Sequence, residues 1–89
     1  MTTMFVRHQV SDFARWKAAY DDFRPTQQRF GVLAEAVYRA PDNPNDVTVT
    51  HEFASVEAAR AFGARDELRS TMETSGVIGQ PSIWFGDKA

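Results

Sequence analysis

The chain has 89 residues, 43% of them hydrophobic, with ten Lys and Arg against twelve Asp and Glu. That length holds one domain, residues 1–89, with a modest core; the slight acidity, with no face of clustered Lys and Arg, argues against nucleic acid and anionic membrane as partners. Cysteine is absent, which excludes disulfides and thiolate metal or iron–sulfur sites, so self-association is the support left to so small a core.

The opening "MTTMFVRHQV" has neither a long apolar stretch nor a small-residue cleavage site, so a soluble cytoplasmic protein is the expectation. Residues 4–10 alternate, with Met4, Val6, His8 and Val10 on one side, and predict a first strand. Ser11 and Asp12 are good helix N-caps. From Asp12 to about Phe30 the apolar positions Phe13, Trp16, Tyr20, Phe23 and Phe30 form one helical stripe. Pro25 is on the opposite side of that wheel and should kink the helix or start its last turn; Gly31 should close it.

Residues 32–40 predict a second strand, with Val32, Ala34, Ala36 and Tyr38 sharing a face. "PDNPND" at 41–46 is dense turn chemistry. The third strand is "VTVTHEF", residues 47–53, in which Val47, Val49, His51 and Phe53 share one side. Ser55 can cap a helix over "VEAARAF"; Gly63 should break it, with Asp66 capping a second piece, "ELRSTMET". "SGVIGQP" reads as an irregular connection and residues 82–86 as a short last strand.

The order β-α-β-β-α-β predicts two right-handed βαβ units joined by a hairpin. That is a ferredoxin-like α+β fold, a four-stranded antiparallel sheet with both helices on one face. The opposite face would carry Phe5, Arg7, Leu33, Val37, Thr48, Thr50 and Trp84. A half-apolar face of this kind marks an interface, and two copies packed through it would make a homodimer.

The strand–helix order, the length, Trp16 and Tyr20 on the first helix, and the tail "GVIGQPSIWF" resemble the dimeric α+β barrel superfamily, in particular its antibiotic-biosynthesis-monooxygenase-like and polyketide-cyclase-like branch. The resemblance implies a dimer, and it implies chemistry from a set that includes cofactor-free monooxygenases, haem-degrading enzymes, polyketide cyclases and lactone isomerases. The cofactor-free monooxygenases use a pocket with an asparagine, a tryptophan and, in some, a tyrosine or histidine. Here Asn43 and Asn45 both fall in the predicted hairpin loop, a departure that weighs against oxygenation and haem degradation. Cyclases and isomerases need only a base for an acidic C–H and a donor for the enolate.

Alternation places His8 and His51 on the face that Trp16 and Tyr20 cover. The candidate catalytic residues are therefore His51 as general base or acid, Tyr20 and Trp16 as donors, and His8 in support. Tyr38, Gln27, Phe53 and Arg65 are candidate contacts for a hydrophobic, polyketide-like or aromatic small molecule. No acidic residue falls on the predicted face of the two histidines, so no metal site is expected, and no motif for a cofactor is present. The competing expectation is a non-catalytic dimer in which the histidines and aromatics are core residues.

Overall fold

The structure, a computed structural model, describes residues 1–89. Its elements are β1 (Thr2–Val10), α1 (Phe13–Arg29), β2 (Ala34–Ala40), β3 (Asn43–Phe53), α2 (Val56–Gly63), α3 (Asp66–Thr74) and β4 (Val77–Asp87). The strands form one antiparallel sheet in the order β2-β3-β1-β4. All three helices cover one face, so the fold is ferredoxin-like α+β, with the second helix in two pieces. No helix is long and apolar enough to cross a membrane.

Local chemistry sets the ends of α1. The Asp12 carboxylate accepts from the Ala14 and Arg15 amides at 3.0 and 3.4 Å, satisfying two first-turn donors. At the other end Gly31 takes φ +99°, its amide bonds Gln28 O and the Val32 amide bonds Gln27 O. This paired closure needs a left-handed residue, which glycine supplies at little cost. The helix runs through Pro25, which is exposed on the side away from the sheet, so its missing amide bond faces water.

Gly31 also explains a correction to the second strand. Val32 is buried immediately after the cap, but the strand proper begins only at Ala34. Glu35 pairs with His51, Val37 with Val49 and Arg39 with Val47, so these three share the helix side. Val37 packs there against the cluster that includes Trp16 and Val49. Ala34, Ala36 and Tyr38 are on the other side, and Tyr38 is 59% exposed. The predicted faces of β2 are thus exchanged, because Val32 and Glu35, three residues apart, both point inward across an irregular step.

The hairpin is tighter than its composition suggests. Only Pro41 and Asp42 turn, and β3 starts at Asn43. Pro44 is tolerated because it stands in a bulge. Arg39 pairs with Val47 and Ala40 with Asn43, leaving Pro44 to Asp46 as extra residues on β3. The Pro44 carbonyl accepts from Arg39 Nε at 3.1 Å. A second bulge lengthens β4 over the predicted connection: Arg7 pairs with Ser82 and Gln9 with Ile78, so Gly79, Gln80 and Pro81 arch out beside His8. An edge strand accommodates such residues without losing interior hydrogen bonds.

Ser55 caps α2 through the Ala58 amide at 3.2 Å. The break falls after Gly63, and Arg65, not Asp66, is the cap residue of α3, with no side-chain capping bond. Phe53, Phe62 and Met4 are fully buried between α2 and the sheet. Each such side chain contributes about 1.5–3 kcal/mol through burial. A second cluster of Val10, Trp16, Tyr20, Val47 and Val49 fills the α1 side. On the bare face of the sheet Phe5 stacks on Trp84, centroids 5.4 Å apart.

Candidate functional site

Between the two clusters the packing is incomplete. A cavity of about 40 Å³ is lined by Val6 and His8 from β1, Val49 and His51 from β3, Trp16, Tyr20, Phe23 and Gln27 from α1, and Leu68, Thr71, Met72 and Ser75 from α3 and its end. By this measure it has room for about two or three waters. Strand pairing sets the two imidazoles apart: His51 is opposite Met4 and His8 is opposite Val47. Four residues of strand separate their backbone positions, about 13 Å.

Aromatic rings span that distance. His8 meets Trp16 edge-on at 5.4 Å, Trp16 meets Tyr20 edge-on at 5.0 Å, Tyr20 stacks on His51 at 6.2 Å, and His51 rests on Phe62 at 5.4 Å. The stripe of α1 supplies the two middle rings because Trp16 and Tyr20 are one helical turn apart.

Tyr20 also joins the polar part of the site. Its hydroxyl donates to Glu35 Oε2 at 2.5 Å and stands 3.4 Å from His51 Nε2. The other oxygen of Glu35 accepts from Arg24 Nη2 at 2.9 Å. Donor counting then favours one tautomer of the imidazole. A carboxylate paired with arginine only accepts, so the phenol proton points to Glu35. The phenol oxygen, which Gln27 also contacts, is left to accept, and hydrogen on Nε2 is the arrangement that suits it. In that tautomer His51 Nδ1 is a bare lone pair; the atom is buried and has no hydrogen-bond partner.

Burial lowers the His51 pKa from 6.5 to about 4, against the opposing pull of the Glu35 charge, so the ring is neutral at neutral pH. Burial also lowers His8, opposed by its own backbone and by Asp46. Tyr20 is raised far above its ordinary value, first by burial, then by its bond to Glu35 and the Glu35 charge, with Gln27 and Arg24 pulling the other way. The phenol is therefore a fixed donor and not a phenolate.

Of the residues expected at a site, His51, His8, Tyr20, Trp16 and Gln27 line this one cavity. Three others do not. Tyr38 is on the bare side of the sheet, for the reason given by the β2 register. Phe53 is wholly buried against Phe62, centroids 5.5 Å apart, outside the cavity wall. Arg65 lays its guanidinium over Phe30, 3.3 Å from the ring centroid, and pairs with Glu67 at 3.4 Å. The helix break turns it away from the cavity. The expectation that no acid shares the histidines' face is also corrected: Glu35 does. Even so, no three His, Cys, Asp or Glu side chains converge to hold a metal. Glu35 and Arg24 were missed because the register that brings Glu35 opposite His51 is not written in alternation alone.

No protein-family model matches the chain, and no curated protein sequence matches it. Solved structures do. A Bordetella bronchiseptica protein, provisionally assigned as an antibiotic biosynthesis monooxygenase, superposes with a TM-score of 0.85 at 16% identity, over 99% of this chain and 96% of that one. A Caulobacter crescentus protein with the same provisional assignment gives 0.78 at 17%, over 99% and 89%. SnoaB, a cofactor-independent oxygenase from Streptomyces nogalater, gives 0.75 at 13%, over 99% and 94%. At such identities the likeness establishes the fold. The structural neighbours of this chain are antibiotic-biosynthesis-monooxygenase-like proteins, a cofactor-independent oxygenase among them, and the chain shares their ferredoxin-like α+β architecture.

Proposed function

We propose that the chain is a small cofactor-independent enzyme that takes a proton from an enolisable, hydrophobic aromatic or polyketide-like molecule in the cavity between sheet and helices. One observation carries this reading: a neutral imidazole whose bare Nδ1 is buried and unpartnered, oriented on its other side by a phenol that is itself held by a carboxylate. A positioned base with a free lone pair is what C–H abstraction requires. Trp16 and Phe23 supply flat apolar walls, and Gln27 supplies amide groups for an enolate oxygen. The fold's company of cofactor-independent oxygenases is compatible with such a first step, since an enolate is also the species that reacts onward.

The cavity must open to admit a ring. Leu68, Thr71 and Met72 of the short helix α3 form its outer wall. Flexible Met72 and a nine-residue helix are the parts least costly to displace. The small volume supports a second reading as well, a protein that binds a small hydrophobic molecule without turning it over. Deuterium exchange separates the two. Incubated in heavy water with β-tetralone, a bicyclic ketone with an acidic benzylic C–H beside its carbonyl, the enzyme should speed exchange at that carbon, and His51→Ala should not. A protein that binds β-tetralone without faster exchange is a binder.

The protein acts as a homodimer through the bare side of the sheet. Tyr38, Ile78 and Trp84 are 59%, 55% and 45% exposed there, a cluster of large side chains of the kind that marks an interface. Sedimentation equilibrium should give twice the chain mass; a single 10.0 kDa species would refute the dimer.

A further inference from the structure

We infer that Tyr20 and Glu35 form a proton relay that takes a proton from His51 Nε2 toward the protein surface beside Arg24 as Nδ1 receives the abstracted one. The inference rests on the reading of His51 as the base and adds two residues to its chemistry.

The geometry is continuous. His51 Nε2 is 3.4 Å from the Tyr20 oxygen, and that oxygen is 2.5 Å from Glu35 Oε2. His51 and Tyr20 are 3% and 5% exposed, but the Glu35 side chain is 19% and the Arg24 side chain 49% exposed. Glu35 also lines a separate outer pocket of about 110 Å³ with Arg24, Gln28 and Leu33. One carboxylate thus touches the buried phenol with one oxygen and a surface guanidinium with the other.

Nδ1 of His51 takes the proton from the ligand carbon, and the C–H electron pair stays on the ligand as its enolate. Nε2 gives its proton to the Tyr20 oxygen while Tyr20 gives its own to Glu35 Oε2. The histidine is again neutral, now with hydrogen on Nδ1. Tyrosine is again a phenol, and Glu35 has become the neutral acid. The pair of charges that would otherwise form in the cavity, imidazolium beside enolate, never has to be held there. The negative charge that Glu35 gives up reappears on the ligand. Glu35 returns its proton along the same path when the enolate is protonated; the abstracted proton meanwhile sits on Nδ1, and its exchange with cavity water there is what places deuterium on the ligand carbon.

Physical necessity favours such a path. Charging an imidazole in this buried site is costly, so a base here works best if something else holds the proton. Glu35 stands at the end of a chain of side-chain contacts leading away from Nε2 through Tyr20, and it is the one group on that chain that can take up a proton. Arg24 holds the carboxylate in place through its other oxygen.

The test uses Glu35→Ala, Glu35→Gln and Tyr20→Phe in the full chain, with β-tetralone as probe and melting curves to confirm folding. Exchange should fall about a hundredfold in each variant, in the range of a lost acid–base group, with β-tetralone binding retained. Formate should restore part of the rate to Glu35→Ala, because it fits the vacated place beside Arg24, and should do nothing for Tyr20→Phe. A purely structural Glu35 would show no formate rescue, and that result overturns the relay. Wild-type rates in Glu35→Ala, with exchange lost only in His51→Ala, would overturn the relay and leave the base reading standing. No exchange by the wild type would end both. Hydrogen–nitrogen NMR correlation gives a readout without ligand: His51 should be the Nε2–H tautomer in the wild type, and Nδ1–H there would contradict the relay.

Discussion

The two ends of the cavity carry the same residue type on the same face of the same sheet, yet they are built differently. His51 faces Glu35 across the β2–β3 ladder and reaches it through Tyr20. His8 meets only the edge of Trp16 among the rings, and next to it the β4 edge arches out at Gly79 to Pro81. Its acidic neighbour, Asp46, is taken by Arg7 at 2.6 Å. Both imidazoles have a buried, unpartnered Nδ1. Only at His51 does the other nitrogen lead to a group that can hold a proton. Burial alone therefore does not make a base; the partner behind it does.

The two histidines should differ most under substitution to alanine. His51→Ala should lower β-tetralone exchange by roughly a hundredfold to ten-thousandfold, the usual worth of a positioned acid–base residue. His8→Ala should lower it only a few-fold, through looser packing against Trp16. Equal losses at the two positions would show that the cavity works as a whole and that Glu35 is incidental.

The same asymmetry should appear in stability against pH. The folded pKa of His51 is depressed from 6.5 to about 4. The unfolded chain therefore binds the proton more readily, and the contribution of neutral His51 is fully present above about 6.5. It is lost as pH falls toward 4. The loss amounts to about 3 kcal/mol over that window, at about 1.4 kcal/mol per pH unit where the difference is complete. Denaturant midpoints measured between those pH values should fall steeply in the wild type and much less in His51→Gln, which keeps an amide in place of the ring. His8→Gln should flatten the curve less, since the His8 shift has the same direction but at least two opposing influences. A wild-type curve with no slope in that window would mean that His51 is charged or solvated in the folded protein.

How far the sequence reveals this difference depends on the range of the interactions. The α1 stripe was legible because Phe13, Trp16 and Tyr20 recur at helical spacing and Asp12 caps locally. The β3 alternation was legible for the same reason, and it put His51 on the right face. The faces of β2 were not, because Val32 belongs to the helix closure and not to the strand, and a one-residue slip moves every side chain to the other side. Glu35 was hidden by that slip. The bulges at Pro44 and at Gly79 to Pro81 were read as loops, since proline and glycine mark both a turn and a tolerated irregularity. What remained out of reach was therefore not residue identity but cross-strand register.

The smallest effect concerns the arch beside His8. Gly79 has φ +71°, and a methyl group added there would meet nothing within 4 Å. Gly79→Ala thus adds no clash and tests backbone strain alone. A non-glycine residue in the left-handed region costs about 1–2 kcal/mol. For a domain of this size each kcal/mol lowers the melting temperature by roughly 4–8 °C. Gly79→Asn should cost less, because asparagine visits that region more readily and can bond locally. If the His8 end is only scaffold, both variants should keep wild-type exchange rates per folded molecule. An activity loss in Gly79→Ala that exceeds its loss of folded protein would instead tie the arch, and His8 with it, to the working site, and would erase the difference between the two ends.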